Sequence, residues 1–126
     1  DGDESLTVDT RFAGTRAHPE IKGSITGVDT VNFTPSALTR GVINGMAEEL
    51  YSVNKQMGVE KCGLVGSGNG IRKNALFKNA LEQKFGAKMK IPAHNEEASF
   101  GSALFALIAV GAYKDEKEAR ASIKYE

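Results

Sequence analysis

Leu64-Val65-Gly66-Ser67-Gly68-Asn69-Gly70-Ile71-Arg72-Lys73-Asn74 is the stretch on which the fold of this chain turns. A short apolar run, Leu64-Val65, ends in alternating glycines, and these lead into a segment with helical patterning. Glycine has no Cβ, so its backbone can approach a ligand closely. A helix start adds N–H groups without intrahelical acceptors, at the positive end of the helix dipole. The pattern is that of a nucleotide-binding turn between a strand and a helix. A tight strand–helix connection with no ligand is the plainer alternative, since such glycine matches are only hypotheses.

Outward from this turn, the periodicities alternate between strand and helix. Leu6, Val8 and Phe12 mark a loosely alternating strand over 5–13, and Ser24–Val28 is a second short β-like segment. Gly14 to Gly23 between them is a polar loop holding Arg16, His18 and Pro19. Thr34-Pro35 is a cap followed by a first-turn proline. Leu38, Val42, Met46 and Leu50, with Ile43, Ala47 and Val53 beside them, give one apolar helix face running to about Met57 and stopped by Gly58. Gly41 and Gly45 cost helix stability, which points to close packing against a neighbour.

Residues 61–65 are the next strand, and Asn74 to Phe85 is a helix ended by Gly86. Lys88 to Ile91 is a short strand closed by Pro92. A helix from about Glu97 to Val110 is apolar on nearly all sides, which predicts burial on more than one face. Asp115-x-x-Glu118 is a capping-box-like start to a last, charged helix. The order predicts an α/β layered domain with parallel strands joined by helical crossovers.

At 126 residues the chain is one domain, with zero formal net charge, so nothing points to nucleic acid or an anionic membrane. The longest apolar run, Phe100 to Ala112, is too short to span a bilayer. Cys62 is the single cysteine, which excludes an internal disulfide, reads as a core residue rather than a nucleophile, and leads to the expectation of a cytoplasmic location. The chain opens on Asp1-Gly2-Asp3-Glu4 with no methionine, as expected of an excised piece or a processed product.

Two familiar phosphate-binding patterns do not fit the turn. A P-loop needs Gly-x-x-x-x-Gly-Lys-Ser/Thr, and that spacing does not occur. A dinucleotide fingerprint needs a third glycine where Ile71 stands, a helix starting sooner than about Asn74, and a ribose-binding acid about 20 residues on, where Ile91-Pro92-Ala93 stands.

What does fit is the company the turn keeps. The turn through Asn74, Leu76-Phe77, Phe85-Gly86, Ile91-Pro92 and Glu96-Glu97-Ala98-Ser99-Phe100-Gly101-Ser102-Ala103 follow in order. They resemble the C-terminal region of the FGGY carbohydrate kinases, in which a glycine turn, a helix, a short strand and a Glu-Ala-x-x-x-Gly-Ala-Ala helix succeed one another. Upstream, Phe12-Ala13-Gly14-Thr15-Arg16-x-x-Pro19-x-x-Lys22-Gly23 resembles the family's Gly-Glu-Arg-x-Pro…Arg-Gly stretch, and Gly45-Met46-Ala47 its Glu-Gly-Ile-Ala helix. Within the family the likeness is greatest to sedoheptulokinase-type members. Two departures stand out: Ser67 replaces a glycine common in relatives, and the turn is longer by about two residues before Asn74.

The resemblance implies a ribonuclease H-like, actin-like ATPase C-terminal subdomain over 1–126, a mixed sheet with helical crossovers. It implies Mg-ATP and a sugar as substrates, and the N-terminal kinase domain of the same chain as partner. Gly66, Ser67 and Gly68 would lie against ribose and α-phosphate, mostly through backbone N–H groups. Asn74 would meet the adenine edge, with Asn69 a secondary contact. The catalytic aspartate and the Asp-x-Gly-Thr-like phosphate loop have no match, since Asp9-Thr10 and Asp29-Thr30 lack the glycine, so this chain alone is expected to be inactive. Neither a catalytic nor a metal-ligating residue is assigned to it. An exposed cleft surface makes homo-oligomers an expectation. A non-catalytic actin-like nucleotide-binding regulatory or assembly module is the alternative.

Other polar residues admit bland readings. His18, His94 and Cys62 lack metal-ligand spacing, and the histidines read as surface or loop residues. Arg16 is equally a cleft residue or a loop-fixing ion-pair partner. Arg72-Lys73 reads as solvated, and Glu96-Glu97 as compensation for a helix dipole.

Overall fold

The structure, a computed structural model, describes residues 6–59 and 63–126. The expectations for Asp1–Glu4, Ser5, Lys61 and Cys62 lie outside the described residues. In chain order the elements are β1 (Thr7–Asp9), β2 (Ser24–Thr26), α1 (Pro35–Gln56), β3 (Leu64–Val65), α2 (Asn69–Arg72), α3 (Ala75–Phe85), β4 (Met89–Lys90), α4 (Glu97–Ala109) and α5 (Glu116–Ala121).

The strands form two separate pairs among the described residues. β1 and β2 are antiparallel, with Val8 opposite Ile25, so the parallel pairing read from the element order does not extend to these two strands. The loop between them, residues 10–23, holds no helix, the element that usually carries a parallel crossover. β3 and β4 are parallel, Leu64 opposite Met89, and α2 and α3 form the crossover between them. The result is mixed pairing with helical crossovers.

The helix ends follow local chemistry. Thr34 Oγ1 accepts from the Ala37 N–H at 3.1 Å, with Pro35 in the first turn. Gly86 closes α3 at φ 61°, a left-handed conformation that glycine adopts without a Cβ penalty. Asp115 Oδ1 accepts from the Glu118 N–H at 2.9 Å, and Glu118 Oε2 accepts from the Lys114 N–H at 2.7 Å.

Packing of α1 departs from its large apolar side chains. Gly41 and Ala47 are its buried residues, while Met46, Leu50 and Val53 stay 39%, 49% and 49% exposed. The reason is backbone proximity. A Cβ at Gly41 would come within 2.8 Å of the Leu6 carbonyl oxygen, and one at Gly45 would strike the Val8 carbonyl oxygen. The two glycines let α1 lie directly on β1. Farther along, α1 meets α3, where Tyr51 and Phe85 make an edge-on ring contact at 5.3 Å. Ala47, Leu81, Met89 and Ile91 form the buried cluster, with Leu64, Ile71 and Phe77 against it.

The expected burial of α4 on several faces is not observed. None of its residues is buried, and Phe105 is 69% exposed. It packs against α5, and the remaining apolar faces meet no other element closely among the described residues.

Candidate nucleotide turn

The turn begins where the parallel pair ends. The Gly66 N–H donates to the Lys90 carbonyl at 3.0 Å, continuing the β3–β4 ladder by one bond. Gly66 is buried, and a Cβ there would collide with the Met89 sulfur and the Ile71 Cγ2. Gly68 then takes φ 81°, ψ 164°, a conformation reserved for glycine, and caps α2. Helical structure therefore starts at Asn69, not near Asn74 as expected. The extra length of the turn is a four-residue helix, α2, whose first two N–H groups donate to no carbonyl among the described residues.

The residues singled out from sequence come together in part. Gly66, Ser67, Gly68 and Asn69 make one continuous rim at the carboxyl end of β3. Their N–H groups divide. That of Gly66 is used by the ladder, and that of Gly68 donates to Glu97 Oε1 at 3.3 Å. Among the described residues the Ser67, Asn69 and Gly70 N–H groups have no protein acceptor. Asn74 lies one turn farther on and caps α3, its Oδ1 accepting from the Phe77 N–H at 3.0 Å. Its amide nitrogen is the part left to meet a ligand.

Arg72 and Glu97 are the residues whose role the sequence did not reveal. Arg72 is not solvated: its side chain is 15% exposed and that of Glu97 21%. Arg72 Nε and Nη2 both donate to Glu97 Oε1, at 3.0 and 2.7 Å. Nη2 also faces the carbonyls of Pro92, at 2.5 Å, and His94, at 2.7 Å. Its bond to Arg72, helped by bonds from its own N–H and that of Gly68, holds the Glu97 carboxyl below its ordinary range. Glu97 is in the first turn of α4, so it also faces the helix dipole, but its main partner is Arg72. The two residues stand 25 apart in sequence, so no local spacing signals the pair.

The remaining candidates take structural places. His94 stacks on Phe100 with ring centroids 3.7 Å apart, and its buried Nε2 has no partner among the described residues. His18 is exposed and pairs with Glu20 at 3.1 Å. Arg16 lies on the rim of a cleft of about 690 Å³ between β1, the 11–21 loop and α1, together with Asp9, Arg11 and Glu49. There Arg11 pairs with Asp9 at 2.6 Å, and the bond from Arg11 holds the Asp9 carboxyl down at about 2. No group of three His, Cys, Asp or Glu side chains converges on a metal-sized site among the described residues. No helix there is long and apolar enough to cross a membrane.

This geometry can be set beside known proteins. No family model matches the chain. Sedoheptulokinase of Mus musculus is 26% identical over 110 residues, which is 83% of this chain and 22% of that protein. The crystal structure of Plasmodium falciparum glycerol kinase with ADP superposes with a TM-score of 0.68 at 23% identity, over 86% of this chain and 22% of that one. The chain thus spans about a fifth of the length of the relatives it matches. The fold is that of the actin-like ATPases. In sequence through the one relative and in fold through the other, the chain resembles the C-terminal part of the FGGY sugar kinases.

Proposed function

We propose that residues 1–126 are the C-terminal, ATP-side part of a carbohydrate kinase. In the whole protein it would bind the nucleotide while a γ-phosphoryl group passes from Mg-ATP to a sugar hydroxyl. The observation that carries this is the glycine rim after β3. Ligands of open α/β sheets bind outside the carboxyl ends of parallel strands, and the rim lies at that end. Among the described residues its Ser67, Asn69 and Gly70 N–H groups lack acceptors, and oriented backbone N–H groups of this kind form anion-binding concavities. The donor set fits a phosphate and a ribose edge. Asn74 Nδ2 fits a base acceptor, a narrower role than a free amide would have.

Phosphoryl transfer depends mainly on positioning and charge neutralisation. The residues of this chain would hold the nucleoside end. Mg2+ would neutralise the phosphates when bound, with its protein ligands, the phosphate loop and the catalytic carboxylate supplied by the N-terminal domain. This chain alone is therefore proposed to be inactive. Sedoheptulose, or another ketose, is the substrate proposed from the likeness to sedoheptulokinase. A cytoplasmic setting follows from a soluble sugar substrate and ATP.

A panel of heptuloses, pentuloses and glycerol assayed with the intact protein, reading ADP release, tests the proposal. Sugar-dependent ADP release with a ketose is expected. Nucleotide binding without turnover on any sugar would instead favour a regulatory actin-like module.

A further inference from the structure

We propose that Arg72 is a positioning residue for the nucleotide turn, acting through Glu97. The inference rests on the nucleotide reading of the Gly66–Asn69 rim. Four separate pieces of chain meet at this one guanidinium, among them Glu126, which follows α5 and has its Oε1 3.7 Å from Nη1. Glu97 opens α4, Pro92 and His94 belong to the loop after β4, and Arg72 itself ends α2. Glu97 Oε1 then passes the constraint back to the turn by accepting from the Gly68 N–H. Gly68 is the residue whose φ of 81° sets the direction in which the chain leaves the rim.

Helix-dipole compensation alone would require only the Glu97 carboxylate at the start of α4. It gives no reason for an arginine fork reaching two carbonyls on another loop. The fork ties the turn to the β4–α4 connection, so the Ser67 and Asn69 N–H groups are held outward before a ligand arrives. A preorganised donor needs no reorganisation on binding. Among the described residues the Arg72 side chain makes no hydrogen bond to Gly66, Ser67, Gly68 or Asn69, so its effect reaches the ligand through Glu97 and Gly68.

The test compares Arg72→Lys and Glu97→Gln with wild type in the intact protein. Arg72→Lys keeps the charge but loses the fork, and Glu97→Gln keeps the shape but loses the charge. Both are expected to weaken ADP binding and raise the KM for ATP by about tenfold, the scale of one lost charge-assisted hydrogen bond. At saturating ATP, kcat and the sugar KM are expected to stay within about twofold, because the change is confined to nucleotide binding. A lowered Tm with ADP affinity unchanged in both variants would make the pair merely structural and overturn the proposal. So would equal losses in ATP and sugar KM. Absence of ADP binding by wild type would strike the nucleotide reading itself, and the proposal with it.

Discussion

Two regions of this molecule use the same parts for different ends. Around β1 and α1, glycines bring a helix onto a strand, and Arg11 pairs with Asp9 two residues away. Around β3 and α4, Gly66 fits against Met89 and Ile71, and Arg72 pairs with Glu97 across 25 residues. In the first region the ion pair is local, and the glycines serve only to seat α1 on β1. The second joins four stretches of chain at Arg72 and leaves backbone donors outward. Identical chemistry therefore becomes a packing device in one place and a frame for a turn in the other, and the difference lies in what the groups connect.

The largest separation is expected from the glycines. Gly66→Ala and Gly45→Ala both force a Cβ into occupied space and should each cost about 1–3 kcal/mol. Denaturant midpoints would measure this. ADP titration of the intact protein should separate the two, with affinity lost for Gly66→Ala and retained for Gly45→Ala. Equal affinities would dissolve the contrast between the regions.

A smaller separation is expected from the helix caps. Thr34 and Asn74 each accept from an N–H three residues on. Removing either by alanine substitution should cost about 1 kcal/mol. Only Asn74→Ala should also raise the KM for ATP. If its KM matches that of Thr34→Ala, the assigned contact with the base is wrong.

The smallest effect is in acid. Asp9 and Glu97 titrate below their ordinary values of 3.8 and 4.5, first through their bonds to Arg11 and Arg72. The unfolded chain then binds more protons in this range, so stability rises with pH. The contribution is complete above those ordinary values and is lost as pH falls through the lowered ones, about 2 for Asp9. Urea midpoints between pH 5 and 2 should fall less steeply in Asp9→Asn and in Glu97→Gln than in wild type. An unchanged slope would show that these bonds do not outlast the unfolded state's titration.

Much of this was legible from local chemistry. Thr34, Asn74, Gly86 and Asp115 end or begin helices because each satisfies backbone groups within one turn of itself. The close approach at Gly41 and Gly45 was equally readable, since glycines four apart on a helix have few other uses. What escaped was non-local. An arginine after a turn looks solvated until the carboxylate 25 residues away folds onto it. The apolar pattern of α4 promised burial, but a pattern cannot say whether a partner lies within this chain. The antiparallel β1–β2 pair was hidden by strands of only three residues, too short for periodicity to carry direction. In the turn, glycines marked a close backbone approach but not which N–H groups the fold itself consumes.

The central claim is that the rim from Gly66 to Asn74 receives a nucleotide. Amide hydrogen exchange of the intact protein with and without saturating ADP tests it directly. The expected result is slowed exchange at Ser67, Asn69 and Gly70, with α5 unchanged. Exchange at these three amides that ADP does not alter, under conditions where ADP binds, would contradict it.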